Sequence, residues 1–207
     1  MNQPSGKRRG RPSAGIREAI LSATLALVEE EGLRRLTTKE IAERAGASEA
    51  SVYYHFKDKV GLVQAVIEAG LDPLHKLDVG DFGRFDAAPL ADALLEASVA
   101  FETFFGQVLP VMAAIQSDAE LRQEFGERMD AQGMGPHRGV ELLAAWLDEQ
   151  KRSGRVAAAV DSEAVAALLI GASFMRVFAS RSLADKDKLP SREQTVATLA
   201  TLLTPRD

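Results

Sequence analysis

The stretch 36–59, "LTTKEIAERAGASEASVYYHFKDK", leaves this chain little conformational choice. Thr37 and Glu40 stand three apart. At that spacing a threonine hydroxyl and a glutamate carboxylate each accept from the other residue's backbone N–H and define a helix start. Leu36 and Ile41 have the spacing of a hydrophobic staple across the same start. The pattern predicts a helix from about Thr38 to Ala45, only two turns long, stopped by Gly46. Ser48 then caps a second two-turn helix ending near His55 or Phe56. Two short helices joined by a three-residue turn containing glycine match a helix-turn-helix unit. Ile41, Ala42, Ala45, Val52 and Phe56 form its inner apolar set, and Ala42 and Gly46 are small where the helices must cross.

The rest of the chain repeats the helical period and nowhere the alternation of a half-buried strand. A first helix is expected after Ser13, through Ile16, Ile20, Ala23 and Leu27, with a stop at Gly32. Beyond the short pair, one helix should run from Asp58 to about His75. A loop rich in Gly, Asp and Pro covers 77–89. Helices follow at about 90–106, 108–116, 118–131, 136–153, 161–182 and 191–203, with Pro89, Pro110 and Pro190 near starts, where proline is tolerated. The expected fold class is all-α. The expected organisation is a flexible basic arm over 1–13, a three-helix helix-turn-helix domain over 14–60, and a larger helical domain over 61–207.

Composition narrows the function classes. Hydrophobic residues make up 46% and charged residues 27%, which suits a packed globular chain and not a disordered one. There is no cysteine, so disulfides, thiolate metal sites and cysteine nucleophiles are excluded. The longest apolar run, 164–175, is shorter than the roughly 18 residues of a membrane span, and the basic N-terminus has no apolar leader. A cytoplasmic protein without a membrane partner is expected. The histidines, His55, His75 and His137, lack metal-ligand spacing. Gly171-Ala172-Ser173 lacks the second glycine of a nucleophile elbow. No catalytic residue, metal or cofactor is therefore expected. The net charge of −5 is unevenly distributed: residues 1–60 carry +3 and residues 61–207 carry −8. An acidic chain with a basic front suggests a localised contact with a polyanion.

The short helix pair gives that polyanion a form. The second helix of such a unit lies in the DNA major groove with its N-terminal residues at base edges. Here these are Ser48, Glu49, Ala50 and Ser51. Tyr53 and Tyr54 point about 100° apart on a helix and cannot both face the core; with His55 they offer polar tips suited to flanking phosphates. Lys57 and Lys59 stand where the next helix begins, and charge and unpaired N–H groups both favour a phosphate there. Glu49 has two readings. It can accept from cytosine N4, or it can simply favour the positive helix N-terminus, worth about 0.3–1 kcal/mol. Arg9-Gly10-Arg11-Pro12 is similar to the core of an AT-hook, so Arg9 and Arg11 are candidates for a narrow, A·T-rich minor groove.

"LTTKEIAERAGASEASVYYHFKDKVGLV" resembles the DNA-binding signature of TetR-type bacterial transcriptional regulators. The likeness covers Ile16 to about Leu62, including Gly32, Thr37-Thr38, Ile41-Ala42, Ala45-Gly46, Ser48, the Tyr53-Tyr54-His55-Phe56 run, Lys57, Lys59 and Leu62. It implies a phosphate contact from Thr38, with Lys39 beside it. It implies backbone or base contacts from Tyr53, Tyr54, His55 and Lys59, and base-facing positions at Glu49, Ala50 and Ser51. Two departures stand out: Glu49 is acidic where a neutral or basic residue is more usual, and Ala50 replaces a common glycine.

The same resemblance implies a repressor that binds double-stranded DNA at a palindromic operator, as a homodimer, at the bacterial nucleoid. Dimerisation would pair helices 136–153 and 161–182 with their symmetry mates, through Val140, Leu143, Leu147, Ala167, Leu168 and Gly171. An unidentified small-molecule effector would be lined by Phe101, Glu102, Phe105, Met112, Phe125, Met129, Trp146, Phe174 and Phe178. Glu102 could pair with a cationic ligand, with Arg176 or with solvent. The alternative to a ligand-released repressor is a DNA-bound structural or division-control protein, or a regulator without a small effector.

Overall fold

The computed structural model describes residues 13–31, 37–75, 88–182 and 188–205. Every regular element among them is helical: α1 Ser13–Glu31, α2 Thr38–Ala45, α3 Glu49–Phe56, α4 Lys59–Gly70, the single turn α5 Asp72–His75, α6 Leu90–Ser117, α7 Ala119–Ala131, α8 His137–Arg152, α9 Ser162–Ser182 and α10 Arg192–Leu203. The chain divides into two compact units. One ends at Val66 and also takes in Pro110–Arg122; the other holds Ile67–Leu109 and Gln123 onward. The proposed boundary near residue 60 thus falls within α4.

In the first unit α1 supplies the base. Ile20, Ala23, Leu27 and Val28 are buried on one helical face, as the 3.6-residue period demands. Thr24 is buried among them and spends its hydroxyl on the Ile20 carbonyl at 2.8 Å. The starts of α2 and α3 are fixed locally. The Thr37 hydroxyl accepts from Glu40 N–H at 3.2 Å, and Glu40 Oε2 accepts from Thr37 N–H at 3.2 Å. Leu36, the other half of the expected staple, lies outside the described residues. Gly46 ends α2 in the left-handed region at φ 63°, which glycine adopts without steric cost. Ile41, Ala42, Val52 and Phe56 close the small core, and Arg44 clamps α2 to α1 through Glu30 with Nη1–Oε2 at 2.9 Å. That bond, with the Arg44 charge, holds the Glu30 carboxyl below its ordinary range.

The second unit is built on long helices. Leu94 and Val108 of α6, Leu147 of α8 and Leu169 of α9 are fully buried, and each such side chain contributes about 1.5–3 kcal/mol. At Gly70, the last residue of α4, an added Cβ would lie 2.6 Å from Val108 Cγ1, so glycine is what permits that approach. Leu203 closes the chain end, its carbonyl accepting from Ala157 N–H at 2.8 Å.

Two sequence expectations are corrected here. The predicted helices 90–106 and 108–116 are one helix with Pro110 inside it. A proline at this position removes the bond to the carbonyl four residues earlier and normally crowds it. That carbonyl belongs to Gly106, which carries no side chain, and Arg181 Nη2 donates to it at 2.5 Å. The helix expected from 58 to 75 stops at Gly70 and resumes for one turn. By length and mean hydropathy alone α6 and α9 could each cross a membrane, a test that the core helices of a packed protein also pass. Their inward faces carry a buried Ser98–Ser173 hydroxyl pair at 3.1 Å, and Glu102 of α6 pairs with Arg176 of α9 at 2.8 Å.

Candidate nucleic-acid interface

The residues predicted to meet DNA fall on one rim of α2 and α3. Val52 and Phe56 turn inward, so the intervening positions turn outward. Tyr53 is 56% exposed and Tyr54 83%, which settles that neither tyrosine is a core residue. His55 is half-buried between them and the core: its ring meets Tyr54 edge-on at 5.1 Å and Phe56 at 6.0 Å. Phe56 also lies beneath Arg17 of α1, whose guanidinium sits 5.6 Å from the ring centre. This fixes the far end of α3 against α1.

At the near end Ser48 caps α3 by accepting from Ser51 N–H at 3.1 Å, and the two hydroxyls meet at 2.9 Å. Glu49 and Ala50 are exposed and Ser51 half-buried. Thr38, the first residue of α2, donates its hydroxyl to Glu49 Oε2 at 3.0 Å. Lys39 beside it is exposed. Nothing in the sequence pattern indicated the Thr38–Glu49 bond, because its partners are eleven residues apart and meet only once the turn has formed.

Lys57 and Lys59 differ from expectation. Lys57 is the C-cap of α3, not a residue of the next helix, and it holds φ 63°, ψ −53°. It is the only described non-glycine residue with positive φ, a conformation that costs roughly 1–3 kcal/mol. The start of α4 is capped by Asp58, which accepts from Gly61 N–H at 2.6 Å. Lys59 is half-buried and paired with Asp118 at 3.3 Å. Asp118 in turn caps α7 through Leu121 N–H at 3.1 Å. That backbone bond, and then Lys59, hold the Asp118 carboxyl below its usual range. Arg9 and Arg11 lie outside the described residues.

The candidates in the second unit separate into groups. Phe101, Phe105, Phe174 and Phe178 form a ladder between α6 and α9, with ring centres 6.5 Å, 5.3 Å and 6.2 Å apart in turn. Trp146 is buried on α8, while Phe125 and Met129 are half-buried on α7. Met112 belongs to the first unit. Glu102 is only slightly exposed to solvent, its side chain 11% so, and is taken up by Arg176 Nε at 2.8 Å and Arg192 Nε at 3.1 Å. Of the dimer candidates, Leu143 and Leu147 point into their own unit and Val140 is half-buried. Leu143 and Leu147 therefore belong to the core of one chain. Ala167, Leu168 and Gly171 are exposed, and Leu168 is 62% so. Met175 and Phe178 extend this stripe at spacings of three and four residues.

Two capped two-turn helices, a left-handed glycine between them and an outward rim of tyrosine, histidine and lysine define a helix-turn-helix protein. Over residues 20–66 the chain matches the model of the tetR family of bacterial regulatory proteins. It is 41% identical over 59 residues to the tetracycline repressor protein class C of Escherichia coli, covering 28% of this chain and 27% of that one. It is 32% identical over 102 residues to the HTH-type transcriptional regulator BetI of Klebsiella pneumoniae (strain 342), covering 41% and 52%. The chain thus spans between about a quarter and a half of these relatives' length. Among solved structures, NalD, the secondary repressor of the MexAB-OprM multidrug efflux pump in Pseudomonas aeruginosa, aligns with a TM-score of 0.64 at 20% identity, covering 93% of this chain and 98% of that one. FadR of Bacillus subtilis, in complex with stearoyl-CoA, aligns with a TM-score of 0.61 at 17% identity over 90% and 97%. These two likenesses establish the shared helical fold.

Proposed function

We propose that the chain is a DNA-binding transcriptional repressor, acting as a homodimer on a palindromic operator in the bacterial cytoplasm and released by a small apolar or amphipathic ligand. The observation that carries the reading is the outward rim of α3. Two adjacent tyrosines, both more than half exposed, lie outside the core and stand where a groove-bound helix meets phosphates. No catalytic step and no cofactor is part of the proposal.

The dimer rests on two supports. A reader helix of two turns contacts few base pairs, and symmetric pairing doubles the site. The exposed stripe Leu168, Gly171, Met175 and Phe178 on α9 is apolar surface that a second copy would cover. The effector rests on the aromatic ladder of α6 and α9, and on the stearoyl-CoA bound by the FadR relative in fold. Ligand and operator would compete through one two-state equilibrium, so each must weaken the other by the same factor. The lever is α4, which contributes residues to both units.

Selection of bound duplexes from a random library tests the first claim: enrichment of an inverted repeat is expected, and failure to enrich any sequence overturns it. Sedimentation at micromolar concentration tests the dimer. Release of the enriched duplex by stearoyl-CoA or another acyl thioester, with the reciprocal loss of thioester affinity on DNA, tests the ligand reading.

A further inference from the structure

Glu49 has an acidic side chain at the one surface proposed to approach a polyanion, and its environment explains what it is for. The Thr38 hydroxyl donates to Glu49 Oε2 at 3.0 Å. A threonine hydroxyl carries a single proton, so Thr38 cannot serve a phosphate while it holds Glu49. The neighbouring hydroxyls of Ser48 and Ser51 are engaged with each other at 2.9 Å. The reading end of α3 therefore offers a duplex a fixed carboxylate, the methyl group of exposed Ala50 and the one serine proton that the Ser48–Ser51 bond leaves free.

The sign of the effect follows. Attraction to phosphates supplies essentially all non-specific affinity, so a carboxylate on this rim weakens binding to every duplex. The loss is recovered only where a base presents an exocyclic amine in the major groove. Cytosine offers N4 alone, whereas adenine sets the N7 acceptor beside N6. A carboxylate has no donor for N7, so adenine repels its second oxygen. Guanine and thymine present acceptors and no amine on that edge. We propose that Glu49, positioned by Thr38, is a discriminating residue: it lowers affinity for non-operator DNA and selects cytosine at one base pair of each half-site. The inference rests on the DNA-binding reading above.

A glutamine at the same position keeps the shape, loses the charge and gains a donor. Glutamine pairs with both N6 and N7 of adenine. Selection from a random duplex library with the full-length wild-type, Glu49→Gln, Glu49→Ala and Thr38→Val proteins decides the matter, alongside titration of one scrambled duplex at two salt concentrations. Cytosine is expected for the wild type at roughly tenfold preference, and adenine for Glu49→Gln at the same position. No preference is expected there for Glu49→Ala, and a broadened cytosine preference for Thr38→Val. Both Glu49 variants should bind the scrambled duplex roughly threefold tighter, the gain shrinking with salt. Unchanged base preference in Glu49→Gln, or weaker scrambled binding in Glu49→Ala, overturns the inference and reduces Glu49 to a clamp between α2 and α3. An equally sharp preference in Thr38→Val overturns the positioning role. If the wild type enriches no sequence at all, the DNA-binding reading itself falls.

Discussion

α2 and α3 have eight residues each and bury two side chains apiece. α6 and α9 have 28 and 21 residues, and their contacts reach across the chain, from Glu102 to Arg192 at a separation of 90. The short pair is held by hydrogen bonds at its ends: the Thr37–Glu40 box, the Ser48 cap and the Gly46 stop. The long pair is held by buried area and by one ionic cluster. A small reader has too little core to be fixed by burial, so its orientation depends on caps, each worth about 0.5–2 kcal/mol. A long helix has burial to spare and can carry a defect such as Pro110.

The comparison breaks most visibly in the long helices. Leu169→Ala on α9, at a fully buried site, should cost about 2–5 kcal/mol, read as a lowered midpoint in urea denaturation. Glu102→Ala leaves Arg176 and Arg192 facing each other. Breaking a deeply buried pair costs about 3–5 kcal/mol; these arginine side chains are 21% and 32% exposed, so a loss of about 1–3 kcal/mol is expected after screening. Glu102→Gln, which keeps an acceptor, should lose less, and equal losses would show that charge is irrelevant there.

At the short helices the effects are smaller, and one of them stabilises. Thr37→Ala removes the capping box and should cost about 1 kcal/mol. Lys57→Gly relieves a positive φ worth roughly 1–3 kcal/mol against about 0.4–1 kcal/mol of added unfolded-chain entropy, so a net stabilisation of about 1 kcal/mol is expected, with the loss of one cation from the rim. Paired thermal melts and duplex titrations would therefore move stability and affinity in opposite directions for Lys57→Gly. The smallest effect concerns pH. The Asp118 carboxyl is depressed in the folded chain, so its contribution is present above the ordinary aspartate value of about 3.9 and is lost as pH falls through the folded value. Asp118→Asn should flatten the acid limb of the stability curve; an unchanged limb would remove the Lys59–Asp118 pair from the account.

The contrast between local and distant contacts also governs what could be read from sequence. The bounds of α2, its capping box and the outward tyrosines follow from residues within four positions of one another, and each is found in place. The Lys59–Asp118 and Glu102–Arg192 pairs, 59 and 90 residues apart, leave no local trace. Glu102 was expected to face solvent or ligand, or to meet Arg176; Arg192 had no signal at all. Leu143 and Leu147 have the helical stripe of an interface, but a stripe does not say whether its cover comes from the same chain. Proline is tolerated near a helix start, so Pro110 looks like one in the sequence; only the Gly106 carbonyl and its distant arginine partner explain why the helix continues.

The contacts between α6 and α9 have a mechanical consequence. Ser98 meets Ser173, Glu102 meets Arg176 and the Gly106 carbonyl meets Arg181. Both numbers rise together, so the helices run in parallel, gripped at three successive turns like a rack and pinion that has been jammed. One tooth is a hydroxyl pair, one an ion pair, and one a carbonyl exposed by a proline. They differ in chemistry, so a slip by one turn would match no tooth to a suitable partner. Sliding of α6 along α9 is therefore not a graded motion of this unit: the two helices translate as one rod, or all three grips release at once.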